Sequence, residues 1–199
     1  MCLKIIQAGE PVLRQAARAL SRREIGSREI QELIAAMKEA MREAPGVGLA
    51  APQVGHALQV AVIEDLPEYT KDAPREQLEE RERRPVLFHA IINPKLTLLG
   101  EPAIEFFEGC LSLPGFMAIV PRARRVRVEC LDEDAKARVI EASGWYARIL
   151  QHEIDHLRGT LYVDRMHSRS LTTLDNYNLY WKEKAIEEVK AMLAAGQTI

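Results

Sequence analysis

The sequence predicts an α+β fold, with helices toward both ends of the chain and strands between them. Three observations predict it. Apolar residues recur at three- and four-residue spacing near each terminus, the period of a half-buried helix. Between about Gly46 and Val139 short apolar runs and one alternating segment take over, as in strands. The 199 residues are 47% hydrophobic and 28% charged, an ordinary globular balance that can bury a core without covalent staples. One domain over residues 1–199 is expected.

In chain order, Pro11 suits a first helical position, and Val12-Leu13 with the Ala- and Arg-rich residues after it predict a short helix. Ser27 is placed to cap a second helix carrying Ile30, Leu33, Ile34, Met37 and Met41 on one face, which Ala44-Pro45-Gly46 ends. The runs Leu58 to Ile63 and Val86 to Ile92 read as strands. Val126, Val128 and Cys130 alternate with charged residues, as in a strand with one buried face. The charged, proline-containing stretch 64–85 reads as an exposed loop with a helical turn over 75–83. Ser143-Gly144 opens a helix through Leu157. A final amphipathic helix is expected over 174–195, with Ile186, Val189, Met192 and Leu193 on its apolar stripe.

Lys plus Arg number 27 and Asp plus Glu 29, so the formal charge of -2 gives no net pull toward nucleic acid or anionic membrane. No apolar run approaches the ~20 residues of a membrane span. Cys2, Cys110 and Cys130 are too few and too scattered for a secreted disulfide scaffold. With no signal-peptide core or transit-like segment at the start, the sequence reads as cytoplasmic, the alternative being a processed organelle enzyme.

The chemistry concentrates in His152-Glu153-Ile154-Asp155-His156. Two histidines four apart share one helical face and can meet one ion, with Glu153 beside them to act on a water. A catalytic centre of this type takes a third protein ligand. The metzincin position for it is Tyr162, which cannot serve. Glu183, Glu187 and Glu188 are formal candidates on the last helix, and Cys110, between Gly109 and the Pro114-Gly115 turn, is another. Cys2 and Cys130 are weaker candidates, and His56, His89 and His167 lack partner spacing. A zinc endopeptidase and a non-catalytic metal module are therefore competing readings.

Gly46-Val47-Gly48-Leu49-Ala50-Ala51-Pro52-Gln53, Glu108-Gly109-Cys110-Leu111-Ser112 and Gln151-His152-Glu153-Ile154-Asp155-His156 resemble, in order and spacing, the three signature motifs of peptide deformylases. The resemblance spans about residues 3–170. Ala142-Ser143-Gly144-Trp145, Val120-Pro121-Arg122 and Asp164-Arg165-Met166 look most like the branch that includes eukaryotic organelle enzymes. The 64–85 stretch is longer than in compact bacterial members.

The resemblance implies antiparallel sheets around a central metal-binding helix. It implies removal of the formyl group from N-terminal formyl-methionine of new polypeptides by a metal-bound water. Cys110, His152 and His156 would bind the metal. Glu153 would be general base and then acid, and the Gln53 amide with the Leu111 backbone N–H would hold the oxyanion. Gly46, Val47 and Gly48 would meet a substrate added as a strand. Asp155 would orient a neighbour, with Arg122 partnering it or Glu108. Fe²⁺ is the implied native metal, with Zn²⁺ or Ni²⁺ as alternatives, since one thiolate and two imidazoles disfavour Mg²⁺ and Ca²⁺. Implied partners are formylmethionyl peptides, nascent chains and the ribosome, with the protein a monomer or homodimer.

Overall fold

The computed structural model describes residues 3–71, 73–100 and 103–195. Among the described residues, eight strands form two antiparallel sheets. The larger runs β1-β2-β3-β6-β7, built from Gly48–Ala50, Val60–Asp65, Val86–Leu98, Arg125–Leu131 and Ala137–Ser143. The smaller runs β4-β5-β8, from Ala103–Cys110, Leu113–Ala123 and Thr172–Thr173. Six helices accompany them: α1 (Arg22–Ile25), α2 (Arg28–Glu43), α3 (Arg75–Glu80), α4 (Gly144–Leu157), α5 (Leu174–Asn176) and α6 (Ile186–Ala195).

The larger sheet lies between α2 and α4, which explains the two kinds of strand pattern. On β2 and β3, Val60, Val62, Ala90 and Ile92 pack with Leu33, Ile34, Met37 and Met41 of α2. Their alternates Ala61, Ile63 and Ile91 pack on the other face with Leu150, Ile154 and Leu157 of α4. Strands buried on both faces read as unbroken apolar runs. On β6, Val126, Val128 and Cys130 face α4 while Arg125, Arg127 and Glu129 do not enter the core, so this strand alternates. Ser27 caps α2 by accepting from the Ile30 N–H, as its sequence predicts.

Three expectations are corrected. The helix after Pro11 is a single 3-10 turn, Pro11–Arg14. The chain then extends so that Arg18 bridges Leu58, a tertiary pairing that overrides the helical propensity of its alanines. The one-turn α1, closed by a Ser21/Glu24 capping box, lies just beyond. Residues Glu64 and Asp65 are the buried end of β2 and not exposed loop: Glu64 pairs with Arg42 and Asp65 with Arg83. The last helix is broken: α5 passes into a π-helical turn, Tyr177–Trp181, and α6 starts afresh at Ile186. Tyr177, Trp181, Ile186 and Val189 all dock on Phe107 and Ile119 of the smaller sheet, and this docking bends the segment. Cys2 lies outside the described residues.

Candidate metal centre and active site

Helix α4 crosses the larger sheet and turns His152, Glu153 and His156 toward the smaller one. The first N–H groups of the helix find carbonyl partners from other elements: Gly144 donates to Arg124 and Trp145 to Arg81. At its other end Gly159, at φ +74°, presses on the backbone of Arg14, where any Cβ would come within 2.7 Å. Both ends of the helix are thus pinned.

Cys110 arrives on the last residue of β4, just after a bulge between Glu108 and Cys110. Its Sγ stands 3.3 Å from His156 Nε2, which is 3.2 Å from His152 Nε2. The three ligand atoms lie within 4.8 Å of one another. A tetrahedral ion held about 2.1 Å from nitrogen and 2.3 Å from sulfur sets its ligands about 3.3–3.6 Å apart, so this donor set fits one ion. His152 supports the fit, because its Nδ1–H donates to Glu108 Oε2 at 3.0 Å and leaves the Nε2 lone pair facing the cluster. By contrast, Glu187 and Glu188 pair with Lys190 and Lys184 on α6 and its approach, and none of the three glutamates joins the cluster.

Glu153 is buried, and its Oε2 has no hydrogen-bond partner among the described residues. Burial pushes its carboxyl up to about 7. Gln53 is held on a 3-10 turn by the Ala50 N–H, which donates to Oε1 at 2.8 Å. That bond turns the amide nitrogen toward Cys110 Sγ, at 3.5 Å, and Ser112 Oγ, at 3.2 Å. Leu111 follows Cys110 directly. Gly46, Val47 and Gly48 line the same cavity, of about 580 Å³, together with Gln53, Cys110, His152 and Glu153. The two glycines have packing reasons as well: a Cβ at 46 would meet the Leu111 side chain and one at 48 would meet Glu153.

Beneath the cluster is a buried ionic network. Glu108 accepts from Arg122 at 3.0 and 2.9 Å, from Arg148 at 2.6 Å and from His152. Asp155 accepts from Arg122 and, at 2.6 and 2.7 Å, from Arg165. Arg122 therefore partners both acids, where sequence left the choice open. Burial alone would raise the Glu108 carboxyl, but His152 and Arg122 hold it well below the usual range. Arg148, whose burial draws it down to about 10, is the residue that sequence reasoning missed. Its signal was present, since it stands four before His152 and so shares its helical face. Glu108, two before Cys110 on a strand, carried a comparable signal.

Among the described residues, three protein ligands with a buried carboxylate beside them define a class: a mononuclear metal site of catalytic type, since structural sites close with four protein ligands. A family model described as Polypeptide deformylase matches residues 2–171. Peptide deformylase 1A, chloroplastic, of Solanum lycopersicum is 50% identical over 175 residues, covering 88% of this chain and 63% of its own. Peptide deformylase 3 of Streptomyces avermitilis is 44% identical, covering 96% and 83%. A class I type b peptide deformylase from Acinetobacter baumannii, solved with Met-Ala-Ser bound, superposes with a TM-score of 0.74 at 31% identity, covering 83% of this chain and 99% of its own. The chain belongs to the polypeptide deformylase family. It spans just under two thirds of the length of the tomato relative.

Proposed function

We propose that this protein, acting as one catalytic domain, hydrolyses the formyl group from N-terminal formyl-methionine of new polypeptides. The observation that carries the proposal is the convergence of Cys110, His152 and His156 beside Glu153 in one cavity of a deformylase-family chain. Met-Ala-Ser in the Acinetobacter relative has the form of a deformylated product and supports the substrate class.

Cys110, His152 and His156 would hold one divalent ion, Fe²⁺ natively and Zn²⁺ or Ni²⁺ as replacements. Such an ion acidifies water and polarises the formyl carbonyl. Glu153, raised toward neutrality by burial, accepts the proton of the attacking water and returns it to the departing amine. The Gln53 amide, aimed by the Ala50 N–H, and the Leu111 N–H hold the charge that develops on the formyl oxygen. Glu108 fixes the tautomer and plane of His152. Gly46, Val47 and Gly48 border the peptide. For compartment, the chloroplastic tomato relative supports the organelle alternative. Among the described residues no helix is long and apolar enough to cross a membrane.

Anaerobic Fe²⁺-loaded protein is expected to release formate from formyl-Met-Ala-Ser without cutting internal amide bonds. Internal cleavage without formate release would instead favour an endopeptidase, and metal retained in Cys110→Ala would reject the ligand set.

A further inference from the structure

The charged stretch between β2 and β3 ends at the first turn of α4, and the fit there is close. Gly144, at φ +57°, lies so near the stretch that an added Cβ would stand 2.4 Å from Glu82 Cβ and 2.6 Å from the Arg81 carbonyl. Glu82 itself sits at φ +49°, a conformation that a non-glycine residue rarely adopts. The contact lets the Trp145 N–H donate to the Arg81 carbonyl at 2.8 Å.

Two guanidiniums from this segment lie on the Trp145 ring. Arg81 is 5.4 Å from its centroid and Arg83 5.1 Å, both within cation–π range. Arg81 also lies 5.3 Å from the Phe106 ring. Arg83 is fixed in turn by two bonds, of 2.9 and 2.8 Å, to the buried carboxylate of Asp65. The Trp145 ring is therefore held by the chain segment and not by α4 alone.

Trp145 and Arg83 line the same cavity as His152 and Glu153. Trp145, Ile149 and His152 fall at spacings of four and three along one face of α4, so Trp145 stands two turns, about 10 Å, from the metal-ligand histidine. That distance leaves room for a carbonyl placed at His152 and one unbranched side chain running back along the helix toward the indole.

We propose that Arg81 and Arg83 are positioning residues that hold Trp145 as the end wall of the substrate cavity, and so set the length of N-terminal side chain the site accepts. The proposal rests on the formyl-peptide hydrolysis argued above and assigns a role to the 64–85 stretch. Neither arginine touches the reacting atoms, so the effect appears in selectivity.

The test uses the metal-loaded full chain and formyl-X-Ala-Ser peptides in which X is alanine, norvaline, norleucine, methionine or 2-aminooctanoate. Formate release gives kcat/KM for the wild type, Arg81→Met and Arg83→Lys. The wild type should favour methionine and norleucine and fall off at 2-aminooctanoate. In Arg81→Met the ratio of 2-aminooctanoate to norleucine should rise about tenfold, the scale of discrimination one methylene carries in an apolar pocket. Arg83→Lys keeps the charge beside Asp65 but loses the planar stack, and should move the ratio the same way. Arg81→Met leaves the Arg83–Asp65 pair intact, so misfolding of the second variant does not remove the test. A uniform fall across the series, or profiles superimposable on the wild type, would overturn the proposal. No formate release by the wild type from any peptide would overturn the underlying function and this inference with it.

Discussion

Gly48 and Glu153 face each other across the boundary between β1 and α4, so closely that a Cβ at position 48 would stand 2.3 Å from Glu153 Oε1 and 2.6 Å from Cδ. The bare backbone of β1 is thus the surface against which the buried carboxylate is set. Gly48→Ala should displace Glu153 and keep the metal ligands. Misplacing a reacting group by about 1 Å costs up to about 10²-fold in rate. We expect kcat to fall by at least tenfold, with metal content unchanged by elemental analysis. Unaltered kcat would show that the carboxylate position is not critical.

Glu108 is the counter-charge for Arg122 and Arg148 and the acceptor for His152. Glu108→Gln leaves two buried guanidiniums without their common anion, and breaking buried pairs of this kind costs about 3–5 kcal/mol. Losing the partner of a metal-bound histidine also weakens metal binding by about 10–100-fold. Urea unfolding and chelator competition should both register the change. A stable variant with native metal affinity would contradict it.

Stability should fall in mild acid partly through His89. This residue is buried, its Nδ1–H donates to the Leu87 carbonyl at 2.8 Å, and its Nε2 accepts from the Tyr146 hydroxyl at 2.9 Å. Burial holds the imidazole below its ordinary pKa and pushes the Tyr146 phenol up to about 12, so both stay neutral. The unfolded chain takes up the His89 proton near pH 6.5 and the native state only lower, so the unfolded state binds more protons in between. His89 therefore favours the native state above about pH 6.5, and this contribution is lost as pH falls toward the folded pKa. His89→Phe should flatten the pH dependence of unfolding free energy between pH 7 and 5, by up to about 1.4 kcal/mol per pH unit. An unchanged slope would reject the assignment.

Much of this arrangement was legible in the sequence because its causes are local. Ser27 and the apolar face of α2, the alternation on β6 and the paired histidines of α4 all lie within one helix or strand. What was not legible depends on residues far apart in the chain. Nothing near Glu64 and Asp65 announces that Arg42 and Arg83 neutralise them, so both looked like loop charges. The break between Trp181 and Ile186 comes from docking on Phe107 and Ile119, while the local pattern suits one continuous helix. The turn-flanked setting of Cys110 already favoured it over Glu183, Glu187 and Glu188 as third ligand, and the fold brings its sulfur to the histidines.

A ferrous ion held by Cys110 and two imidazoles should be lost to oxidation in air, along with the thiolate itself. Activity of the Fe²⁺ form is expected to decay on aeration and that of the Ni²⁺ form to persist. Equal decay of both forms would argue against iron as the labile partner.

If Glu153 moves the proton at a site whose metal Cys110, His152 and His156 hold, its removal should slow turnover and spare the metal. Formate release from formyl-Met-Ala-Ser by Glu153→Ala, measured with metal content and thermal stability on the same sample, tests it most directly. A folded protein with one metal ion per chain is expected, with a rate lower by about 10²–10⁴-fold, the usual contribution of general acid–base catalysis. A metal-replete Glu153→Ala protein turning over at the wild-type rate would contradict it.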